Sequence, residues 1–179
     1  KKGVRLSQSV VRAITSDGVN FELEPGYCLQ DKQTTFDTAG ITAAEVIPPS
    51  DDGDNWTMFY SAWQDVPPGT VVPLHPSLDP SAAAKDGPVD FAAASIASDM
   101  AGYRSRIFMA TSDDGLIWKR VGCAIEGAGY GADGLDAVHA EDMSLIRIDK
   151  GRYRMYYAAC DKAGTWRIAS AVTETGKHV

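Results

Sequence analysis

The sequence predicts an all-β fold assembled from β-propeller blades, and three observations predict it. A hairpin-like block and an aromatic block both recur at one offset. The aromatic runs are apolar at successive positions, so both faces of such a strand need cover. Asp-Gly pairs punctuate the strand-like runs, and glycine supplies the positive φ of a tight turn at little cost.

The first block is Ala13-Ile-Thr-Ser-Asp-Gly-Val-Asn-Phe21, which lines up with Ala110-Thr-Ser-Asp-Asp-Gly-Leu-Ile-Trp118, 97 residues on. The second is Trp56-Thr-Met-Phe-Tyr-Ser-Ala-Trp63, which matches Tyr153-Arg-Met-Tyr-Tyr-Ala-Ala-Cys160 at the same 97-residue offset. A degenerate third copy of the first block, Ser170-Ala-Val-Thr-Glu-Thr-Gly176, follows Gly115 by 61 residues, so the bare repeat is close to 60 residues long. Reading outward from Asp17-Gly18 and Asp114-Gly115 as two-residue hairpin turns gives strands at 9–15, 20–29, 43–49, 56–63, 105–112, 116–125, 141–148, 152–160 and 166–173. These amount to half a unit, one whole unit and most of a third. A sandwich also supplies many short strands. It does not explain a recurring hairpin-plus-aromatic unit whose strands are apolar on both faces, whereas blades stacked about an axis explain both.

About two and a half blades are too few for a ring of about four to eight. The expectation is that residues 1–179 are one partial propeller domain, completed into a five-bladed ring by a second chain or by a further part of a longer polypeptide. A homodimer is the expected partner. The surplus of the larger offset over the bare repeat falls at 66–103, which opens with Val66-Pro-Pro-Gly and Val72-Pro-Leu-His-Pro76. The run Asp90-Phe-Ala-Ala-Ala-Ser-Ile-Ala-Ser-Asp-Met100 has the pattern of a short helix. Two readings of this insertion stay open: a lid or arm, and a tolerated surface excursion.

Composition excludes several function classes. A formal charge of −7 with no basic run offers no cationic surface to a nucleic acid backbone. No apolar stretch approaches the roughly 20 residues that span a bilayer, and the first residues show no signal-peptide pattern, so a soluble chain of undetermined compartment is expected. Cys28, Cys123 and Cys160 lack metal-ligand spacing and read as buried small apolar residues. No EF-hand spacing supports calcium, and no cofactor is expected.

The acids carry the functional reading. The first strand of a blade lines the axis, and the 97-residue offset that matches Tyr60 to Tyr157 also matches Glu45 to Asp142, with Glu141 adjacent. Asp37, Asp133 and Asp136 lie in glycine-containing loops upstream. Glycosidic cleavage needs one carboxyl to protonate the leaving oxygen and another to activate water or attack carbon. Glu45, Asp142 and Glu141 are the candidate catalysts. The loop aspartates are candidates for substrate binding, and equally for bonding to nearby backbone, as turn aspartates do. His139 sits near the same opening. Trp63 and Tyr130 have the flat apolar surface that stacks on a sugar ring, and the same surface serves blade packing.

The segments Ala110-Thr-Ser-Asp-Asp-Gly-Leu-Ile-Trp118, Ala140-Glu-Asp-Met143 and Gly151-Arg-Tyr-Arg-Met-Tyr-Tyr157 together resemble the five-bladed β-propeller glycosidases. These include the arabinanase and xylosidase families and their invertase-like and mannoside-phosphorylase-like relatives. The resemblance implies catalytic acids on inner strands of different blades, by position Asp142 and Glu45, and a carbohydrate ligand in the axial pocket. Met143 stands where the family has Pro, Glu45 lies in an Ala-Glu-Val setting, and the family's third acid has no counterpart among these two. The Ser-Asp-Asp-Gly turn is one residue shorter than the sialidase Asp-box. The expected function is a glycoside hydrolase-like propeller; the alternative is a non-catalytic carbohydrate-binding or protein-interaction module.

Overall fold

The computed structural model describes residues 8–31, 33–34, 37, 40–49, 55–65, 103–126, 134–149, 152–161 and 165–174. Within them every element is a strand: β1 (Ala13–Ile14), β2 (Glu22–Leu23), β3 (Gly40–Ile47), β4 (Trp56–Asp65), β5 (Tyr103–Ser112), β6 (Lys119–Ile125), β7 (His139–Asp149), β8 (Arg152–Cys160) and β9 (Trp166–Glu174). These answer the nine strands expected from the sequence, although β1 and β2 are far shorter than 9–15 and 20–29. The insertion at 66–103, with its expected helix, lies outside the described residues up to Tyr103.

Strands β3, β4, β5 and β6 pair antiparallel in succession, as do β7, β8 and β9. The two meanders meet where Ser105 of β5 pairs with His139 of β7 in parallel. β1 and β2 form a separate two-stranded ribbon, extended by the Val10–Leu29 bridge. The described sheets are open, with no closure into a ring.

Alternation along β4 shows why its sequence is apolar at successive positions. Met58, Tyr60 and Ala62 join Leu29, Ile41, Phe108 and Ala110 in a core between the first meander and the amino-terminal segment. Phe59, from the opposite face, joins Ile107, Met143, Met155 and Tyr157 in a second core between the meanders. Both faces of β4 are therefore buried. β8 has the same pattern, with Tyr153, Met155, Tyr157, Ala159 and the terminal Cys160 buried; Tyr156 on the other face is 41% exposed, and Ile168 of the neighbouring β9 is 75% exposed.

The Asp-Gly turns are built alike but are longer than two residues, since the flanking pairs are Ile14 with Glu22 and Thr111 with Lys119. Asp17 Oδ1 accepts the backbone N–H groups of Val19 and Asn20, and Asp114 Oδ1 those of Leu116 and Ile117. Thr15 and Ser112 hydroxyls accept the N–H groups of Gly18 and Gly115. These bonds hold both aspartates below the usual carboxylate range. A capping carboxylate, not a two-residue turn, closes each loop.

Candidate functional site

The site forms where β7 begins, against the ends of β4, β5, β8 and β9. Arg106 anchors it. Its guanidinium is buried beneath the chain entering β7 and donates from Nη1 to the Ser105 and Val138 carbonyls at 2.8 and 2.9 Å, and from Nη2 to Ala137 at 2.9 Å. Burial lowers its pKa, and the three carbonyls are what a buried cation needs in place of water.

The imidazole of His139 lies parallel to Trp166, ring centres 5.2 Å apart, and tilted against Trp63 at 5.5 Å. Trp63 is fixed in turn by its indole N–H, which donates to Thr42 Oγ1 at 3.0 Å. On its Nδ1 side the imidazole meets the backbone N–H of Ser105 at 3.2 Å and the Ser105 hydroxyl at 3.0 Å.

Glu141, two residues along β7, faces the same serine. Its carboxyl is 6% exposed, and Oε2 has no hydrogen-bond partner among the described residues. Burial pushes its pKa up to about 7, opposed by a hydrogen bond from Ser105 and assisted by the neighbouring charge of Asp142. The shift brings this carboxyl's titration towards neutral pH, the range in which a carboxyl can act as a proton donor. Asp142 itself is exposed and has a left-handed backbone (φ 50°), and its N–H donates to Ser61 Oγ at 3.1 Å. A bulge at this point breaks the strand's alternation between Glu141 and Ser144.

The other expected residues are placed differently. The inner strands are not in the 97-residue register: Glu45 pairs with Phe59 and Ser144 with Tyr156, so Glu45 occupies the position of Ser144, and Ala43 that of Asp142. The β3–β4 hairpin is two residues longer than the β7–β8 hairpin, which shifts the equivalence by two across the turn. Ala43 repeats the left-handed backbone of Asp142, with φ 44°. Glu45 accepts the N–H of Leu145 at 2.9 Å, tying β3 to β7. Asp37 is buried: Oδ1 accepts from Thr34 N–H and hydroxyl, and Oδ2 from Arg120 at 2.7 Å. Asp136 accepts the Tyr157 hydroxyl at 2.9 Å. Asp133 and Tyr130 lie outside the described residues.

Sequence reasoning missed Ser105, Arg106 and Trp166. The available signal was Arg106 itself, a cation immediately before the apolar run Ile107-Phe-Met-Ala110. A groove of about 300 Å³ lies elsewhere, lined by residues 46–49 with Leu145, Arg147 and Tyr153. It sits at the far ends of β3 and β7 from Glu141 and contains no carboxylate. No group of His, Cys, Asp and Glu among the described residues is arranged to hold a metal ion, and no helix among them is long and apolar enough to cross a membrane.

No family model matches the chain, and no curated protein matches it. Among solved structures, a protein titled "Glycoside hydrolase" superposes over 89% of this chain at a TM-score of 0.52 and 16% identity. The fold resembles part of a glycoside hydrolase. The chain spans 34% of that protein's length. Zg3597, a family 117 glycoside hydrolase from the marine bacterium Zobellia galactanivorans, aligns over 96% of this chain and 42% of its own, at a TM-score of 0.48 and 16% identity.

Proposed function

We propose that the chain is a segment of a glycoside hydrolase-like β-propeller that takes a carbohydrate at the mouth of β7, with Glu141 as the acid and Asp142 as the second carboxylate. The observation that carries this reading is the buried Glu141 carboxyl, poised near neutrality, with one oxygen left without a partner among the described residues. A glycosidic oxygen would satisfy that oxygen and receive its proton. Asp142 is exposed whereas Glu141 is buried, so the two neighbouring carboxyls have different environments. Trp63 and Trp166 wall the opening around His139 with aromatic surface suited to a sugar ring.

The ring belongs to this proposal. Burial of both faces of β4 supports it, since a blade packed between two others would be covered in this way, and the exposed Tyr156 and Ile168 offer a face that a further blade would cover. The cover is supplied by a second copy of the chain or by further blades of the same polypeptide. Light scattering on the folded chain separates the two, a dimer mass supporting the first.

The chemistry is tested on the full chain with a panel of 4-nitrophenyl glycosides. Glu141→Gln should lower kcat by about 10²–10⁴-fold on a substrate that the unaltered chain cleaves. A Glu141→Gln variant that cleaves as fast as the parent removes Glu141 from the role. A second reading, binding without cleavage, is favoured by the engagement of Glu45 and Asp37 in structural bonds. It predicts heat of oligosaccharide binding in calorimetry with no release of nitrophenol.

A further inference from the structure

We infer that the groove between the end of β3 and the β7–β8 hairpin is a ligand site separate from the mouth of β7, and that it takes a small organic carboxylate. The apolar body of the ligand lies against Val46, Pro48, Pro49 and Leu145, and its anionic head meets Arg147 and Tyr153.

The sequence opens this groove by ending β3 early. Glu45 Oε2 accepts the Leu145 N–H at 2.9 Å, which holds β3 beside β7 at that level. Two residues further along, β3 ends at Ile47, and Pro48 and Pro49 follow. Neither proline has an N–H to extend the ladder with β4, and each ring fixes its own φ. β7 runs on to Asp149, so beyond the tie one wall stops while the other continues. The space left is about 300 Å³, at the lower end of the range for small-ligand sites. A wall made of two prolines keeps its shape before a ligand arrives, so little ordering is lost on binding.

Two polar groups decide what occupies it. Arg147 and Tyr153 pair directly across β7 and β8, so their side chains rise from the same face of the sheet. Arg147 Nε donates to the Asp149 carbonyl at 3.4 Å, and neither Nη group has an acceptor among the described residues. The guanidinium is exposed, whereas the Tyr153 ring is buried and its hydroxyl makes no hydrogen bond to the described residues. No carboxylate among the described residues lines the groove with them. Apolar walls that carry one cation and one phenol donor complement an anion on an apolar body. A guanidinium takes a carboxylate through two parallel N–H donors, and the walls remove the body from water. A neutral sugar, which needs polar partners around its ring, finds few here. A bare inorganic anion would leave the walls uncovered, and a cation would be repelled by Arg147.

This site is independent of the glycosidase reading, and its test uses no sugar. The probe is 3-phenylpropanoate, with 3-phenylpropanamide as a neutral control of the same shape. Each is titrated into the full chain and followed by NMR of the Val46, Ile47 and Leu145 methyl groups. The acid should bind with a Kd on the order of 1 mM, as suits a ligand this small, and the amide about tenfold more weakly. Arg147→Gln should bring the acid down to the affinity of the amide, and Tyr153→Phe should weaken the acid about threefold. Arg147 is exposed, so its replacement should leave the methyl spectrum outside the groove unchanged. Equal affinities for acid and amide, or an Arg147→Gln chain that still prefers the acid, overturn the inference. So does a lack of movement in these methyl groups at about ten times the expected Kd, the outcome if a segment of the chain itself fills the groove.

Discussion

Alanine at Gly115 and alanine at Gly18 make a matched pair of perturbations, because the two turns share their hydrogen bonds and their backbone. Both glycines have φ of 74°. A side chain in this left-handed region costs about 1–2 kcal/mol, and the loss of glycine's freedom in the unfolded chain returns about 0.4–1 kcal/mol. Gly18→Ala should therefore destabilise by about 0.5–1 kcal/mol, since an added Cβ there meets nothing within 4 Å. At Gly115 the same Cβ would lie 3.1 Å from Cδ2 and Cε2 of Trp56. Trp56 opens β4 opposite Ser112, so its indole retreats only by disturbing the pairing of β4 with β5. Overpacking of this kind adds about 1–3 kcal/mol. The expected difference between the variants is about 2 kcal/mol, read from urea unfolding with unchanged m-values, or about 4–8 °C in Tm. Equal losses in the two variants, within about 0.5 kcal/mol, would refute the claim that Trp56 is what Gly115 accommodates.

Three further outcomes are expected. Glu141 has a folded pKa of about 7 against an ordinary 4.5, so the folded state keeps a proton that the unfolded state releases between these values. Its contribution is present below pH 4.5 and is lost as pH rises through 7, a decline of about 3 kcal/mol that Glu141→Gln should flatten in unfolding curves taken across this range. Arg120→Met strands Asp37, whose side chain is 1% exposed, and should destabilise by about 3 kcal/mol in urea unfolding; Arg120→Met with Asp37→Leu should recover much of it. Glu45→Ala should cost about 1–2 kcal/mol in the same assay by orphaning the Leu145 N–H, whereas Glu45→Gln keeps an acceptor and should unfold almost as the parent does.

The sequence by itself determined the all-β class and the nine strands, because turn residues and apolar runs are local signals that survive in the fold. It also made the Asp-Gly turns comparable, since Asp17 and Asp114 cap their loops from within a few residues. Tertiary structure decided what the acids do. Glu45 and Asp142 align along the chain, yet a hairpin longer by two residues moves Glu45 off that position, and pairing across strands fixes the register. Asp37 resembled a loop ligand until Arg120, 83 residues away in sequence, was found paired with it. Glu141 was legible as an acid at a strand opening. Its near-neutral pKa was not, because desolvation comes from the elements that close over it where the two meanders meet.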